Sequence, residues 1–574
     1  MSTAPRIRRR QFDAPGHWPD TLSPLLRRIY AGRGADSIEQ AQPKLAQLLS
    51  PDTLGGLVDA TALLAEAIAA NQHIVVVGDF DCDGATACAV GVRGLRMLGA
   101  TRVTPAVPNR MVHGYGLSPA LVAELAALKP DLLVTVDHGI ACHAGIAAAK
   151  SLGWKVLVTD HHLPGERLPP ADAIVNPNCR GDAFPSKMLA GVGVMFYVLL
   201  ALRKRLRDAG AIAHDQPDLS VLLDLVAVGT VADLVPLDIN NRALVAAGLR
   251  RLRAGQGCAW LRALIEVSGR ESSRLTAADI GFAIAPRLNA AGRLEDMAMG
   301  IECLLTDDAI QAAELANLLH GINAERRGVQ QQMTDEAESA LARLGHDMQG
   351  NTPIALCLFD PEWHPGVVGL VASKMKEKLH RPVIAFAPSE PGSSTLRGSA
   401  RSIPGFHIRD ALANVDSANP GLMGKFGGHA MAAGLSLEES DLAAFEAAFR
   451  AQALSMLDPA MLQAELLSDG ELIAEEFDFL HAGALRNAGP WGQAFAEPLF
   501  DGEFDVIDWR VVGERHLKLS LKIEGRREAL NAIHFGGWQD QPPASRLRLA
   551  YRLVPDDYRG GTAIQLIVEH SEAI

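Results

Sequence analysis

Residues 73–84 read HIVVVGDFDCDG. Ile74 to Val77 is a short β-branched run with no polar alternation, the pattern of a strand buried on both faces. It leads through Gly78 into three aspartates at alternate positions, Asp79, Asp81 and Asp83. Four more such runs follow: RVTPAVP (102–108), DLLVTV (131–136), KVLVT (155–159) and DAIVN (172–176). Helix-like Ala/Leu stretches such as Pro119–Leu128 separate them, so the fold class is α/β with a parallel sheet. The third run ends in Asp137-His138-Gly139 and the fourth in Asp160-His161-His162. LLDLVAVGTVA (222–232) reads as a further apolar strand ending at Asp233. In an open parallel sheet the carboxyl ends of the strands lie along one edge, where ligands bind. Four strand ends are therefore expected to aim carboxylates and imidazoles into one crevice.

Any one of these aspartates alone reads as an N-cap for the helix that follows it. The set does not. Several carboxylates within about 5 Å of one another, partly desolvated, repel strongly unless they are protonated or neutralised by cations. Divalent ions are the simplest neutralisers, and an oxygen-rich site with one or two imidazoles suits Mn²⁺ or Mg²⁺ better than thiolate-seeking metals. Two ions about 3.5–4 Å apart need a bridging carboxylate with ligands on either side, and this number of acids supplies them. Cys82, between alternating aspartates, is expected to turn into the sheet and away from metal. No GxGxxG or Walker-type loop accompanies the acids, and metal-assisted hydrolysis needs no Ser/His/Asp or Cys/His nucleophile.

At roughly 150 residues per domain, the 574-residue chain holds about four domains. Its 48% hydrophobic and 21% charged residues exclude a mainly disordered or fibrous chain. The net charge of −13 leaves a local basic groove or bound cations as the means of holding a polyanion. No apolar run of about 18 residues is present, so no membrane span is expected, and the start MSTAPRIRRRQFDAPG lacks the apolar core of a secretory signal. Seven scattered cysteines without a CxxC pair read as reduced thiols in the cytoplasm.

The expected layout is a helical lead-in at 1–70, with helices Ser37–Leu49 and Leu54–Ala70, followed by the parallel-sheet domain at 71–236. A helical region at 237–350 comes next. No proline lies between Pro286 and Pro353, and Leu315, Leu318, Ile322, Val329, Met333, Ala337, Ala340 and Leu344 form one apolar stripe on a helix over 307–344 that bridges two domains. Residues 351–455 form a second α/β domain, with strands PIALCLF and RPVIAFAP and a Gly-rich end, GKFGGHAMAAG (424–434). The last segment, 456–574, reads as a small β-barrel. Its run RHLKLSLKIEG puts Leu517, Leu519, Leu521 and Ile523 on one face and His516, Lys518, Ser520 and Lys522 on the other.

In this order, GDFDCDGATA (78–87), TVDHG (135–139), TDHH (159–162) and GTVADLVPL (229–237) resemble motifs one to four of the DHH phosphoesterase superfamily. RGSARS (397–402) and GGHAMAAG (427–434) resemble its associated DHHA1-like domain, and the terminal β segment resembles an oligonucleotide-binding (OB-like) barrel. PNRMVHGYGL (108–117), APRLNAAGR (285–293) and WHPGVVGLVASK (363–374) place the resemblance among the superfamily's single-strand-specific DNA exonucleases, over nearly the whole chain. It implies digestion of single-stranded DNA from 5′ to 3′ by two-metal hydrolysis with Mn²⁺ or Mg²⁺, in DNA repair and recombination. It also implies a monomer, with single-strand binding protein and a DNA helicase as partners.

Carried over residue by residue, the resemblance implies that Asp81, helped by Asp79, binds one metal. Asp83, His161 and Asp233 hold the other, and Asp137 bridges the two. His162 faces the scissile phosphate, and His162, Asp137 and Asp160 form the catalytic set. The superfamily's small pyrophosphatases carry a histidine four residues before the first metal aspartate, where this chain has Val77, so the first site is one imidazole poorer. Arg110, Arg287, Arg293 and Arg401 are read in Gly/Asn/Pro-rich turns as phosphate contacts, with Asn289, Ser399 and His429 beside the substrate. His113 and Tyr115 either stack on or hydrogen-bond to a nucleotide. Lys518 and Lys522 form either a strand-binding face or the solvated side of an amphipathic strand. A 5′-phosphate pocket is expected from Arg110, Ser399 and Arg401. Two other readings fit less well: a phosphodiesterase for short oligonucleotides or cyclic dinucleotides, against which the added C-terminal β module and the chain length argue, and an inactive scaffold in a replication or repair assembly, which would lack acids and imidazoles that are all present.

Overall fold

In the computed structural model, which describes residues 5–11, 16–109, 112–347 and 353–574, Ile74–Val77 is an inner strand of a five-stranded sheet. The order is Val103–Ala106, Ile74–Val77, Leu132–Val136, Lys155–Thr159 and Ala173–Val175, with every neighbouring pair parallel. Numbered along the chain this is 2-1-3-4-5, so the winding reverses between the first and third strands, and a ligand crevice opens at their carboxyl ends. The run from Ile74 to Val77 lacks alternation because both faces are covered. Ile74 and Val76 pack with Ala85, Ala89 and Met195 of helices Cys82–Met97 and Gly191–Asp208. Val75 and Val77 pack with Leu121, Leu125 and Ile146 of helices Pro119–Leu125 and His143–Ser151. Each such valine contributes on the order of 1.5–3 kcal/mol. A charge at Val76 would have neither partner nor water.

Three sequence expectations are corrected. Residues 222–232 are not a strand: Leu223–Ala232 is an α-helix and Asp233 is its C-cap. Residues 223–230 are buried on every side, so neither helical nor strand periodicity is visible. Ser37–Leu49 is broken at Pro43 into helix Ile38–Ala41 and a 3₁₀ turn, Leu45–Gln47. APRLNAAGR and RGSARS are not turns: they form the helix Ala285–Leu294 and part of the strand Thr395–Arg401.

The chain divides into two units. One comprises Arg9–Asn323 and Ser468–Ile574. Its larger apolar core runs from Leu25, Ile29 and Tyr30 of the lead-in to Phe500 and Tyr551 of the last segment, and a smaller one covers the other face of the parallel sheet. Tyr30 donates to the Ala488 carbonyl at 2.9 Å, and Arg33 grips Asp469 with two contacts of 2.9 and 3.0 Å. The last segment closes into a barrel in the order Phe500–Val512, His516–Lys522, Leu530–His534, Ile564–Ala573, Arg546–Pro555. Leu517, Leu519 and Leu521 point inward, as their alternation requires.

The other unit, Ala324–Leu467 with the chain's N-terminal end, holds a mixed sheet. Its order is Phe426–Gly428, Ala432–Glu438, Thr395–Arg401, Val383–Pro388, Leu356–Phe359. The helix Ala309–Asp347 runs from the first unit into the second. Among the described residues no helix is long and apolar enough to cross a membrane.

Candidate metal centre

The acids collect where the sheet's winding reverses. Asp79 and Asp81 follow the first strand. Asp81 is the N-cap of helix Cys82–Met97 and accepts the Gly84 N–H at 3.0 Å, while Asp79 accepts the Phe80 N–H at 2.8 Å. Asp83 lies in that helix's first turn. Its two carboxylate oxygens accept the Gly191 and Val192 N–H groups at 2.6 and 2.9 Å. These are the first two amides of helix Gly191–Asp208, whose positive end favours the anion.

Asp137 follows the third strand with φ of 64°, in the left-handed region that side chains other than glycine seldom adopt. Gly191 makes this possible, because a Cβ there would stand 2.5 Å from Asp137 Cβ. His161 Nε2 lies 3.1 Å from Asp137 Oδ1 and 3.5 Å from Asp233 Oδ2. Asp160 turns away from this cluster. It accepts the N–H groups of His161, His162 and Ile140 and faces His162 Nδ1 at 2.8 Å.

Among the described residues, three groups offer ligand atoms within 4.8 Å of one another: Asp79, Asp81 and Asp137; Asp83, His161 and Asp233; and Asp137, His161 and His162. The first two bring together the residues that the resemblance implied for the two metals, with Asp137 in one and within 3.1 Å of the imidazole of the other. Burial, with the charge of Asp81 next, pushes Asp83 up to about 7 against the two helix amides. Burial, followed by the charges of Asp83 and Asp81, holds Asp137 and Asp233 well above the usual carboxylate range. Negative charge is thus crowded into a desolvated pocket with a donor set of hard oxygens and imidazole, which fits Mn²⁺ or Mg²⁺. Cys82 belongs to none of the three groups. Its thiol is buried in the core, and burial raises it well above its ordinary value.

Tyr115 closes the rim, its ring edge-on to Phe80 and His162 at 6.0 and 6.2 Å. Burial, then the charges of Asp79 and Asp137, push its hydroxyl up, although half of the residue is exposed. His113 is spoken for by the next helix and by its own loop, with Nε2 3.0 Å from Glu124 of helix Pro119–Leu125 and Nδ1 accepting the Asn109 N–H. Arg110 lies outside the described residues. Arg287 is buried, with its guanidinium on the Ala283 carbonyl and 3.1 Å from His320 Nδ1. Asn289 Oδ1 accepts the Cys82 N–H at 2.8 Å, and Arg293 sits in the last turn of the same helix.

In the second unit, Ser399 and Arg401 share one face of their strand. Arg401 donates to Ser399 Oγ at 3.0 Å and to Ser373 Oγ at 3.2 Å. His429 is exposed on the hairpin turn at the same end of that sheet, next to Ala432, which pairs with Arg401.

On the barrel the two lysines part company. Lys518 is paired with Arg510, whereas Lys522 faces Asp505 in a cavity of about 540 Å³ that also holds Glu471, Glu503, Glu524 and Arg546. Trp509, which stands opposite the inward Leu519 and so on the other face from Lys518, stacks on Trp538 at 5.6 Å, and His516 meets the exposed Phe535 edge-on at 5.3 Å. Sequence reading missed this aromatic group, which strand and loop bring together, and the Gly191–Val192 amides. The small residues of LAGVGV before an apolar helix were the only signal for the latter.

Family models match in chain order: the DHH family N-terminal domain at residues 73–230, the DHHA1 domain at 351–454 and the RecJ OB domain at 468–570. The chain is 49% identical over 577 residues to the single-stranded-DNA-specific exonuclease RecJ of Dickeya dadantii, with 99% of each chain covered. It is 48% identical to the protein of the same name from Escherichia coli, with 98% of each covered. A crystal structure of RecJ in complex with Mn²⁺ from Thermus thermophilus superposes with a TM-score of 0.78 at 32% identity, over 96% of this chain and 76% of that one. A Mg²⁺ complex of the same protein gives 0.73 at 31%, over 96% and 75%. Similarity of this depth along the whole chain, with all three domain models matched in chain order, establishes that the chain belongs to the RecJ family.

Proposed function

We propose that this protein is a metal-dependent exonuclease that degrades single-stranded DNA from its 5′ end, in DNA repair and recombination. The observation that carries the reading is the pair of ligand groups, Asp79/Asp81/Asp137 and Asp83/His161/Asp233, at the winding reversal of the sheet. Relatives alike over the full length carry the name single-stranded-DNA-specific exonuclease, and the Thermus thermophilus relative, matched over about three quarters of its own chain, is described in complex with Mn²⁺ and with Mg²⁺. Two divalent ions, when bound, supply an acidified water and neutralise charge on the attacked phosphate.

The chain's own groups position and polarise. The Gly191 and Val192 amides fix Asp83, the Gly84 amide fixes Asp81, and the left-handed turn fixes Asp137 between the two sets. Asp160 holds His162 by Nδ1 and keeps it an imidazolium, lifted to about 9 against the burial that opposes it. That cation is assigned to the scissile phosphate, where it donates a proton-bearing N–H to a phosphate oxygen. Tyr115 is assigned to the first base or sugar.

Ser399, Arg401 and His429 are assigned to the terminal phosphate, with Arg110 and Arg293 as further phosphate contacts. A guanidinium beside a hydroxyl suits the oxygens of a phosphate monoester, which carries more charge than an internal diester. On the barrel the strand is assigned to the end bearing Lys518, Trp509 and Phe535, because four carboxylates surround Lys522 and Arg546. Cytoplasmic location, a monomeric state, and single-strand binding protein and a helicase as partners complete the proposal. The test is digestion of 5′- and 3′-labelled single strands, duplexes and dinucleotides with Mn²⁺, Mg²⁺ or EDTA. Loss of label from the 5′ end of single strands, abolished by EDTA, is the expected result. Attack from 3′ ends or a preference for dinucleotides would overturn it.

A further inference from the structure

We propose that Asn289 is a positioning residue for the first metal-binding loop, and that its helix latches that loop to the connecting helix Ala309–Asp347. The inference rests on reading the acid cluster as a metal centre. The Cys82 N–H belongs to the first turn of its helix, where amides have no partner within the helix. Asp81 takes the Gly84 amide, and Asn289 Oδ1, from a different helix, takes that of Cys82 at 2.8 Å. Cys82 stands between Asp81 and Asp83, so this bond fixes the peptide joining one ligand set to the other. Gly292, three residues on, presses against the same loop: a Cβ there would come 1.9 Å from the Phe80 carbonyl oxygen.

The other contact of this helix is the latch. Arg287 meets His320 Nδ1 of the connecting helix through Nε at 3.3 Å and Nη2 at 3.1 Å, and its third guanidinium nitrogen binds the Ala283 carbonyl within the π-helical turn Ile280–Ile284. The helix therefore touches the loop on one side and the connecting helix on the other. A substrate contact, the role the sequence pattern implied for Asn289, does not account for an Oδ1 already given to a buried amide.

The experiment is Mn²⁺ titration calorimetry on the metal-stripped full chain, with Asp81→Asn and Asp233→Asn marking the two binding steps. Asn289→Ala should weaken the step that Asp81→Asn removes by about ten- to a hundred-fold, the range for residues that orient metal ligands. The Asp233 step should stay within about threefold of wild type. Asn289→Asp, which retains the acceptor oxygen, should restore the step, and His320→Leu should weaken it by less than about tenfold. Affinity for a 5′-phosphorylated oligonucleotide in EDTA should be unchanged in Asn289→Ala. If that variant does not fold, Asn289→Ser, whose hydroxyl is too short to reach the amide, carries the same expectation. An unaltered Mn²⁺ isotherm, or lost oligonucleotide affinity with Mn²⁺ binding intact, overturns the positioning role alone. A wild-type chain that binds no Mn²⁺ overturns both this inference and the metal-centre reading.

Discussion

Replacing Asp160 by Asn separates the two histidines of the DHH motif by charge. The Asp160 carboxylate is buried against His162 Nδ1 and three backbone amides, so Asn keeps the shape and one acceptor oxygen but loses the charge. Burial opposes the charged form of each partner. Their mutual hydrogen bond and attraction outweigh it, holding Asp160 down at about 2 and lifting His162 to about 9. The Asp160 contribution is present above its ordinary 3.8 and is lost as pH falls through 2. The His162 contribution is fully present below 6.5 and is lost as pH rises through 9. At ~1.36 kcal/mol per unit, the His162 shift corresponds to about 3 kcal/mol at pH 6, about 1.4 at pH 8 and about 0.4 at pH 9. The Asp160 shift gives about 2.5 kcal/mol. The lower figure is the better guide, because the Asp160 side chain is 1% exposed and that of His162 30%, where solvent screens. Urea unfolding of the metal-stripped protein at pH 6, 8 and 9 checks this. The gap between wild type and variant should be roughly 2–3 kcal/mol at pH 6 and close to below about 1 by pH 9. A gap constant across that range refutes the imidazolium and leaves Asp160 only as a cap for the backbone of the DHH turn.

Asp137→Ala should lower turnover by several orders of magnitude and leave the metal-free protein no less stable, since it removes one of several crowded carboxylates; a tenth of wild-type turnover at saturating Mn²⁺ would rule out the bridging role. Arg401→Ala removes a charge-assisted contact worth about 1.5–3 kcal/mol, so digestion of 5′-phosphorylated strands should slow about ten- to a hundred-fold and their advantage over 5′-hydroxyl strands should shrink. An undiminished 5′-phosphate preference places the pocket elsewhere. Trp509→Ala with Lys518→Ala should weaken binding of a long single strand by at least about tenfold, as loss of one stacked base and one phosphate contact requires, with dinucleotide cleavage unchanged. Fluorescence anisotropy and single-turnover cleavage read the two arms, and equal losses in both would make the barrel a support for the active site.

The sheet and most of the site were legible because buried parallel strands are apolar on both faces and acids at their carboxyl ends stand out against them. Ile74–Val77 and Leu132–Val136 carry no other signal and need none. What was hidden is what neighbours impose. Thr395–Arg401 looks like a turn because it is rich in small residues, yet Gly398 is small for packing: a Cβ there would meet the Phe386 ring at 2.4 Å. APRLNAAGR looks like a loop for the same reason, although Pro286 is tolerated in the first turn of its helix and Gly292 is demanded by Phe80. The fate of Lys522 depends on Asp505 across the ladder and on Glu471, distant in sequence, which one amphipathic strand cannot disclose.

The misread element bears on the chemistry. Asp233 is delivered by a helix C-terminus, the end whose partial negative charge disfavours another anion, and Leu234 after it is in the left-handed region with φ of 59°. Asp83, its partner in the same ligand group, is met by a helix N-terminus instead. The two carboxylates of one set thus have opposite dipolar surroundings, yet burial raises both above the usual carboxylate range. A strand end would have supplied neither bias. The Gly191 and Val192 amides favour the Asp83 anion, whereas the helix end disfavours that of Asp233. On the proposed assignment, Asp233 is therefore the acid of this set whose charge depends more on a metal beside it.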